Sequence, residues 1–290
     1  MSYYKVLGFE KEPFSTSPDP DFFYESREHE SALTNLMIEL RLRRGLSVIL
    51  GDVGTGKTTL SRKLIQLLKE RQDFVFNIIM DPSFVSEELF MLKVARNFEL
   101  SLTGTPNILD LQEALEKYLF HQGVEENKTV VLIIDEAQKL NEVTLEALRV
   151  LLNYETNEHK LLQLILLGQL ELYAKIARMA NFLDRISFKY TLNPLSEEET
   201  QRLIDFRVRQ AGYASRIPLF ATSAVREIHR QTKGYPRQIA MVCHKALKGL
   251  VMKHKTVIDE VLVREVLTEE ESKGWARITP ILLQKSSSSS

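Results

Sequence analysis

The chain has 290 residues and a formal net charge of −1 at pH 7, and 44% of its residues are hydrophobic while 27% are charged. This composition is typical of an ordinary globular protein with one large domain, or with two domains that each have their own core. The near-zero charge argues against a protein covered in positive charge for nucleic acid, but it leaves room for a local basic face. The single cysteine, Cys243, excludes an intramolecular disulfide.

The amino-terminal residues carry no targeting pattern. Residues 1–5 do not combine a charged start with an apolar stretch, as a signal peptide does. No apolar run approaches the ~18 residues that a membrane-spanning helix needs. We therefore expect a cytoplasmic protein without a direct membrane span.

The first two-thirds of the chain alternates apolar runs with segments of helical periodicity. Strands are predicted at residues 46–50, 74–80, 129–134, 161–167 and 187–192, and helices at 57–70, 86–98 and 108–121. Such alternation is typical of a parallel sheet with helices on both faces. The predicted fold class is therefore α/β, with a parallel five-stranded sheet and flanking helices.

After Pro194 the pattern becomes helical only. Ser196 and Glu199 have the spacing of a capping box, and they open a helix that is expected to end near Gly212. Further helical segments follow, so we predict a core domain at 1–194 and a small all-helical lid domain at 195–270. Residues 271–290 end in a run of serines and are expected to form a disordered tail.

A complete phosphate-binding loop (P-loop) pattern lies between the first predicted strand and the helix after it. It consists of Gly51, Asp52, Val53, Gly54, Thr55, Gly56, Lys57, Thr58 and Thr59. The glycines let backbone N–H groups turn towards phosphates, and the helix amino terminus adds its dipole. In this pattern Lys57 reaches the β- and γ-phosphates, and the Thr58 hydroxyl ligates Mg²⁺. The sequence thus predicts binding of ATP with Mg²⁺.

Two carboxylates follow the predicted strand 129–134. Asp135 is positioned to hold Mg²⁺, and Glu136 is positioned to orient and deprotonate a water that attacks the γ-phosphate. This pair favours hydrolysis of ATP over transfer of its phosphate to an organic acceptor.

The Asp-Glu pair, with a helical domain after the sheet, resembles the AAA+ ATPases. The resemblance implies that Gln169, at the tip of the strand 161–167, senses the γ-phosphate. It also implies that Arg185, ahead of the last strand, reaches the nucleotide of a neighbouring subunit, with Arg178 as a weaker alternative. Arg237, beside a helix start in the lid, would contact the phosphates of its own subunit. A shared site of this kind requires a homo-oligomer, either a ring or a filament.

The resemblance extends to one family within this group. The motifs that carry it are Tyr4–Phe9, Pro13-Phe14, Pro18–Ser26, His29–Leu33, the P-loop, Asp135–Gln138, Gly168-Gln169, Asn193–Leu195 and Gly234–Arg237. Together they cover residues 1–268 and are similar to the general secretion pathway protein A (ExeA/GspA) family. Members that act in type II secretion carry a membrane span and a peptidoglycan-binding region after the ATPase. The present sequence ends before such regions, so a periplasmic function is not expected.

The same resemblance suggests how the base is held. The segment 1–30 would lie at the adenine pocket, with some of Phe22, Phe23 and Tyr24 forming one wall. The lid would close the other side near Pro236 and Ile239. The alternative is that these aromatic side chains belong to the core.

Two functions remain open at this point. The first is an energy source or nucleotide-timed switch for a secretion, pilus or polysaccharide-export assembly, with protein partners. The second is an ATPase that regulates transposition by assembling on duplex DNA. Cations between Arg230 and Lys255 could form a DNA-binding face, or they could belong to a solvated helix surface. Arg41–Arg44 could likewise face DNA or stabilise the end of a helix.

Overall fold

The computed structural model describes residues 3–15, 20–102, 104–215 and 217–272. The chain divides into two compact units. The sheet unit is Ser17–Pro194, and the helical unit combines Met1–Thr16 with Leu195–Ser290. The division after Pro194 falls where the sequence changes from alternating to purely helical periodicity.

A five-stranded parallel sheet organises the sheet unit. The strands are β1 (Leu46–Gly51), β2 (Phe74–Ile79), β3 (Thr129–Ile134), β4 (Leu162–Gly168) and β5 (Ile186–Leu192). Their order across the sheet is β2-β3-β4-β1-β5, and all neighbours are parallel. The predicted fold class is therefore confirmed, and every predicted strand is present to within one residue at each end.

Helices connect the strands and build the second unit. They are α1 (Tyr3–Val6), α2 (Arg27–Leu42), α3 (Lys57–Lys69), α4 (Glu87–Asn97), α5 (Ile108–Phe120), α6 (Glu142–Leu151), α7 (Leu170–Ile176), α8 (Ala180–Leu183), α9 (Glu197–Gln210), α10 (Thr222–Thr232), α11 (Pro236–Met252) and α12 (Glu260–Ser272). Within the described residues, none of these helices has the length and apolar character needed to cross a bilayer.

The central strands are buried on both faces, which explains why they read as continuous apolar runs. Alternate residues of β1 enter different clusters: Val48 packs with side chains of α4, α5 and α6, whereas Ile49 packs with side chains of α2 and α3. The two clusters cover the two faces of the sheet, and the loops that follow β1, β3 and β4 lie at its carboxyl edge.

The amino-terminal segment corrects one expectation. We expected residues 1–30 to belong to the core domain, but residues 3–15 pack within the helical unit. Phe9 and Phe14 are buried there, and their rings lie 5.3 Å from Tyr213 and 5.8 Å from Phe220, respectively. The Glu10 N–H also donates to the Ala211 carbonyl at 2.8 Å. Burial of two phenylalanines is the physical reason for this placement.

The helical unit begins with the predicted capping box. The Ser196 side chain accepts from the Glu199 N–H, and the Glu199 carboxylate accepts from the Ser196 N–H. The tail expected at 271–290 lies outside the described residues, apart from the last two residues of α12.

Candidate functional site: the loops at the carboxyl edge of the sheet

The P-loop joins the carboxyl end of β1 to α3, and glycine is required at both of its ends. A Cβ on Gly51 would lie 2.6 Å from the Thr55 Oγ1 atom. Gly56 is the N-cap of α3 with a φ of 100°, and its Cβ would lie 2.9 Å from the Nε2 atom of His29. The loop is therefore a cradle lined by backbone, which is what close approach of phosphate oxygens needs.

The Lys57 side chain folds back over this loop. Its Nζ donates to the Gly51 carbonyl at 2.6 Å and to the Asp52 carbonyl at 2.8 Å. Only 7% of the residue is exposed, and this burial lowers the pKa of Lys57, while the carboxylates of Glu136 and Asp135 oppose the shift. A phosphate group here would stabilise the charged form of the ammonium group.

Thr58 and Asp135 come together at the start of α3. Asp135 is 1% exposed and follows β3 directly, and the Thr58 hydroxyl is hydrogen-bonded to its carboxylate. Burial raises the pKa of Asp135, and the Thr58 hydrogen bond opposes that shift. One hydroxyl and one carboxylate are hard oxygen ligands that suit Mg²⁺, which usually keeps several waters and the substrate phosphates as its other ligands. The residues present therefore fit the implied Mg-nucleotide.

Glu136 adopts a left-handed backbone conformation, with φ at 52°. Its Oε2 atom accepts a hydrogen bond of 2.6 Å from the Gln138 Nε2. The Oε1 atom of the same Gln138 accepts from the backbone N–H of Gln169 at 3.1 Å. A single amide thus connects the carboxylate after β3 to the residue after β4, and its two bonds fix which end is oxygen and which is nitrogen.

The sheet order explains this meeting. β4 lies between β3 and β1, so the residue that follows β4 sits between the P-loop and the two acids. The register pairs Ile134 with Leu166 and Leu50 with Gly168, which places all three loops at one edge. The structure therefore brings together Gln169, the P-loop and the acidic pair.

Arg185 lies at the opposite edge. It directly precedes β5, whose first residue pairs with Leu46 at the start of β1, so about 17 Å of strand separates it from the P-loop. Within the described part of the chain its side chain forms no ion pair, and the guanidinium donates to the Leu152 carbonyl at 3.3 Å. Arg185 also lines a cleft of about 510 Å³ together with Arg44, Arg149 and Lys160. It cannot reach phosphates held by its own chain.

Comparison with known proteins identifies the family. The AAA domain family matches residues 40–176, which include the P-loop and both acids. General secretion pathway protein A of Aeromonas hydrophila is 34% identical over 247 residues, which are 84% of this chain and 44% of that protein. The chain belongs to the ExeA/GspA family of AAA+ ATPases. Membership supports nucleotide binding and a nucleotide-driven role, while the chain spans less than half the length of this relative.

Solved structures agree with this AAA+ fold. The Aeropyrum pernix ORC2 protein in its ADPNP and ADP complexes has a TM-score of 0.60 at 17% identity, over 86% of this chain and 68% of that chain. Drosophila ORC bound to DNA has a TM-score of 0.66 at 18% identity, over 93% of this chain and 66% of that chain. At such low identities the similarity concerns the fold.

The remaining predicted site residues of this AAA+ protein lie before α2 in the sheet unit and on α11 in the helical unit. Tyr24 is half-buried in the sheet unit, shortly before α2. Pro236 is the first residue of α11 in the helical unit, and Arg237 follows it with an exposed side chain. Ile239 is fully buried in the helical unit, so closure of the lid near the base would have to use its neighbours on α11.

Two site residues carried no predicted role. Gln138 and His29 both occur in the family motifs, but their hydrogen-bonding partners could not be read from the sequence. His29 is 3% exposed and contacts the P-loop through its ring. Local spacing gives no signal for such contacts, because they join segments that only the sheet brings together.

Proposed function

We propose that this chain hydrolyses ATP with Mg²⁺ as part of a homo-oligomer. The observation that carries the proposal is the position of Lys57, the Thr58–Asp135 pair and Glu136 at one edge of the sheet, at the start of α3 and directly after β3. ATP hydrolysis needs these three elements: a cradle for the phosphates, a metal site and a group that takes a proton from water.

In the proposed reaction, a water oxygen bonds to the γ-phosphorus while the bond from that phosphorus to the β–γ bridging oxygen breaks. Glu136 orients the water and accepts its proton, and the products are ADP and phosphate. Bound Mg²⁺, held by Thr58 and Asp135, would neutralise charge on the phosphate oxygens. Gln169 and Arg237 would report the γ-phosphate to the helical unit, and Tyr24 and Pro236 would contact the adenine.

The oligomer is supported by the location of Arg185. Because this guanidinium lies at the edge remote from its own P-loop, any phosphate that it binds belongs to another chain. Arg149 in the same cleft is already paired with Glu146 at 2.6 Å, whereas Arg185 keeps most of its donors available. A guanidinium of this kind can stabilise charge on a phosphoryl group across a subunit interface.

We propose that ATP hydrolysis drives the assembly of a secretion, pilus or polysaccharide-export apparatus. Support comes from the identity with the Aeromonas hydrophila protein, whose name places it in general secretion. The partners would be proteins of that apparatus, and we place the ATPase in the cytoplasm, where ATP is available.

Regulation of transposition on duplex DNA is the alternative function. The observation in its favour is the fold similarity to Drosophila ORC, whose structure was solved bound to DNA. The ion pairs of the helical unit weigh against it. Burial lowers the pKa of His244, which disfavours its charged form. Lys253 is held by Glu265 at 2.7 Å and by Glu269 at 2.9 Å. Cations engaged in this way contribute less to a phosphate-binding face.

Arg43, in the second basic segment, serves the sheet unit itself. Its guanidinium donates to Thr129 Oγ1 at 3.2 Å and to the Asn127 carbonyl at 2.8 Å. These contacts connect the end of α2 to the start of β3, so this arginine has a structural use that does not require DNA.

The experiment compares Lys57→Ala and Glu136→Gln with the wild type, using Glu142→Gln as a matched control on the exposed start of α6. Lys57→Ala should lose nucleotide binding. Glu136→Gln should bind ATP but release phosphate at least tenfold more slowly, since general-base catalysis typically contributes about 10²–10⁴ in rate. Glu142→Gln should match the wild type. Wild-type turnover in Glu136→Gln would remove Glu136 from the mechanism.

The same Glu136→Gln protein distinguishes the secretion or pilus role from the regulation of transposition on DNA. Light scattering and duplex-DNA binding would be followed with Mg-ATP and with Mg-ADP at near-physiological salt, because DNA affinity depends on salt. Assembly with ATP but without DNA binding would support the secretion or pilus role. ATP-dependent assembly on DNA would overturn it in favour of the alternative.

A further inference from the structure

The His29 side chain contacts the backbone of the P-loop. The residue lies in the first turn of α2, and its Nε2 is 3.1 Å from the Thr55 carbonyl oxygen. Its Nδ1 is 2.6 Å from the Ser26 Oγ. A carbonyl oxygen can only accept, so Nε2 carries the hydrogen, while Nδ1 accepts from the Ser26 hydroxyl. Both ring nitrogens are therefore satisfied, in one tautomer.

The ring is held in place by its neighbours. Ser26 is the N-cap of α2, so the hydroxyl that fixes the imidazole also begins the helix. Phe23 meets the ring edge-on, with centroids 5.0 Å apart and planes at 85°. One of the aromatic residues considered for the adenine pocket thus contacts His29.

The hydrogen bond to Thr55 has a consequence for the next residue. A trans peptide unit is planar, so its carbonyl and the N–H that follows point in opposite directions. Holding the Thr55 carbonyl against His29 therefore turns the Gly56 N–H away from the imidazole. Gly56 is the N-cap of α3, where unpaired N–H groups are available to an anion.

We propose that His29 is a positioning residue of the nucleotide site, which fixes the Thr55–Gly56 peptide so that the Gly56 N–H faces the phosphates. The inference rests on the proposed function, since it assumes that the P-loop binds ATP. A histidine is suited to this position because one ring nitrogen reaches the loop while the other is tied to Ser26.

The test uses two amide substitutions that differ only in reach. The side-chain nitrogen of glutamine lies about as far from Cα as the imidazole Nε2, so His29→Gln can still donate to Thr55. The amide of His29→Asn is one methylene shorter and cannot. Binding of a fluorescent ATP analogue with Mg²⁺ should weaken about tenfold in His29→Asn and about twofold or less in His29→Gln, given the usual value of one hydrogen bond. The change should fall mainly on KM, with kcat nearly unaffected.

Thermal unfolding without nucleotide separates positioning from folding. The two variants should melt alike without ligand and differ in the rise that nucleotide induces. If His29→Asn does not fold, Ser26→Ala serves instead, with an expected loss of affinity of about threefold because the ring is freed. Equal affinities for His29→Asn and His29→Gln would overturn the inference alone. A wild-type protein that binds no better than Lys57→Ala would overturn the proposed function, and the inference with it.

Discussion

Glu227 holds the helical unit together from within, and replacing it should weaken that unit measurably. Its side chain is 3% exposed, and its Oε1 accepts from Arg230 Nη2 at 2.7 Å and from Gln231 Nε2 at 2.8 Å. Arg264 Nε of α12 lies 3.3 Å from the same oxygen. The carboxylate thus joins α10 to α12.

The size of the effect follows from the pKa. Hydrogen bonds from Arg230, then from Gln231 and Arg264, lower the pKa of Glu227 from 4.5 to about 2. At about 1.4 kcal/mol for each pH unit, this displacement corresponds to roughly 3 kcal/mol of stability. Both arginine side chains are more than half exposed, at 63% and 56%, so solvent screening reduces the expected value to about 1–2 kcal/mol.

The pH dependence has a definite sign. Because the pKa is lower in the folded protein, the stabilisation is complete above pH 4.5 and is lost as the pH falls from there towards 2. Glu227→Gln should therefore lower the free energy of unfolding of the helical unit by about 1–2 kcal/mol at pH 7. At pH 3 the difference from the wild type should shrink to less than half.

Hydrogen exchange of peptides from α10 and α12 measures this unit by itself, which matters because two units need not unfold together. Glu198→Gln is the matched control, since Glu198 pairs with Arg202 one helical turn away and 72% of its side chain is exposed. That change should cost about 0.5 kcal/mol or less. Equal protection in the two variants, or a difference that is the same at pH 3 and pH 7, would refute the reasoning.

Three further predictions concern the site and the core. Gln138→Ala removes the hydrogen bond to Glu136. It should lower kcat about tenfold while nucleotide affinity stays within about twofold. A rise in kcat would show instead that the amide restrains the glutamate. Arg185→Ala should lose turnover but keep nucleotide binding, whereas Arg178→Ala should retain both. Mixing Arg185→Ala with a Glu136→Gln protein should restore part of the activity, and without any restoration the shared site would be wrong. Burial raises the pKa of Cys243, so Ellman's reagent should react only after unfolding, and rapid labelling of the native protein would contradict its position.

The sheet and the nucleotide loops were accessible from the sequence because their signals are local. Strands buried on both faces must be apolar throughout, as β3 and β4 are, and this gives continuous runs with clear ends. The P-loop and the pair after β3 are contiguous stretches, so each can be recognised from the local sequence alone. Their meeting at one edge then follows from the parallel order of the strands.

The amino-terminal segment was misassigned because its partners are distant. Phe9 and Phe14 look the same in sequence whether they cover the sheet or the helices, and the rings that they meet lie about 200 residues further along the chain. The same limit applies to His29, whose acceptor is a backbone carbonyl. A carbonyl leaves no trace in the residue pattern, so no spacing rule could have revealed that contact.

The basic segment of the helical unit suggests a larger DNA-binding face in the sequence than the fold supports. The segment from Arg230 to Lys255 looks like a basic face in the sequence because the acidic partners of Lys253 lie outside it. In the fold, Glu265 and Glu269 on α12 neutralise Lys253, and burial lowers the pKa of His244, which disfavours its charged form. Arg185 is the reverse case, since a lone arginine in sequence becomes a guanidinium without an ion pair among the described residues. The Arg185 guanidinium at the edge of the sheet is therefore available to an external partner, which under the proposed function is the nucleotide of a neighbouring subunit.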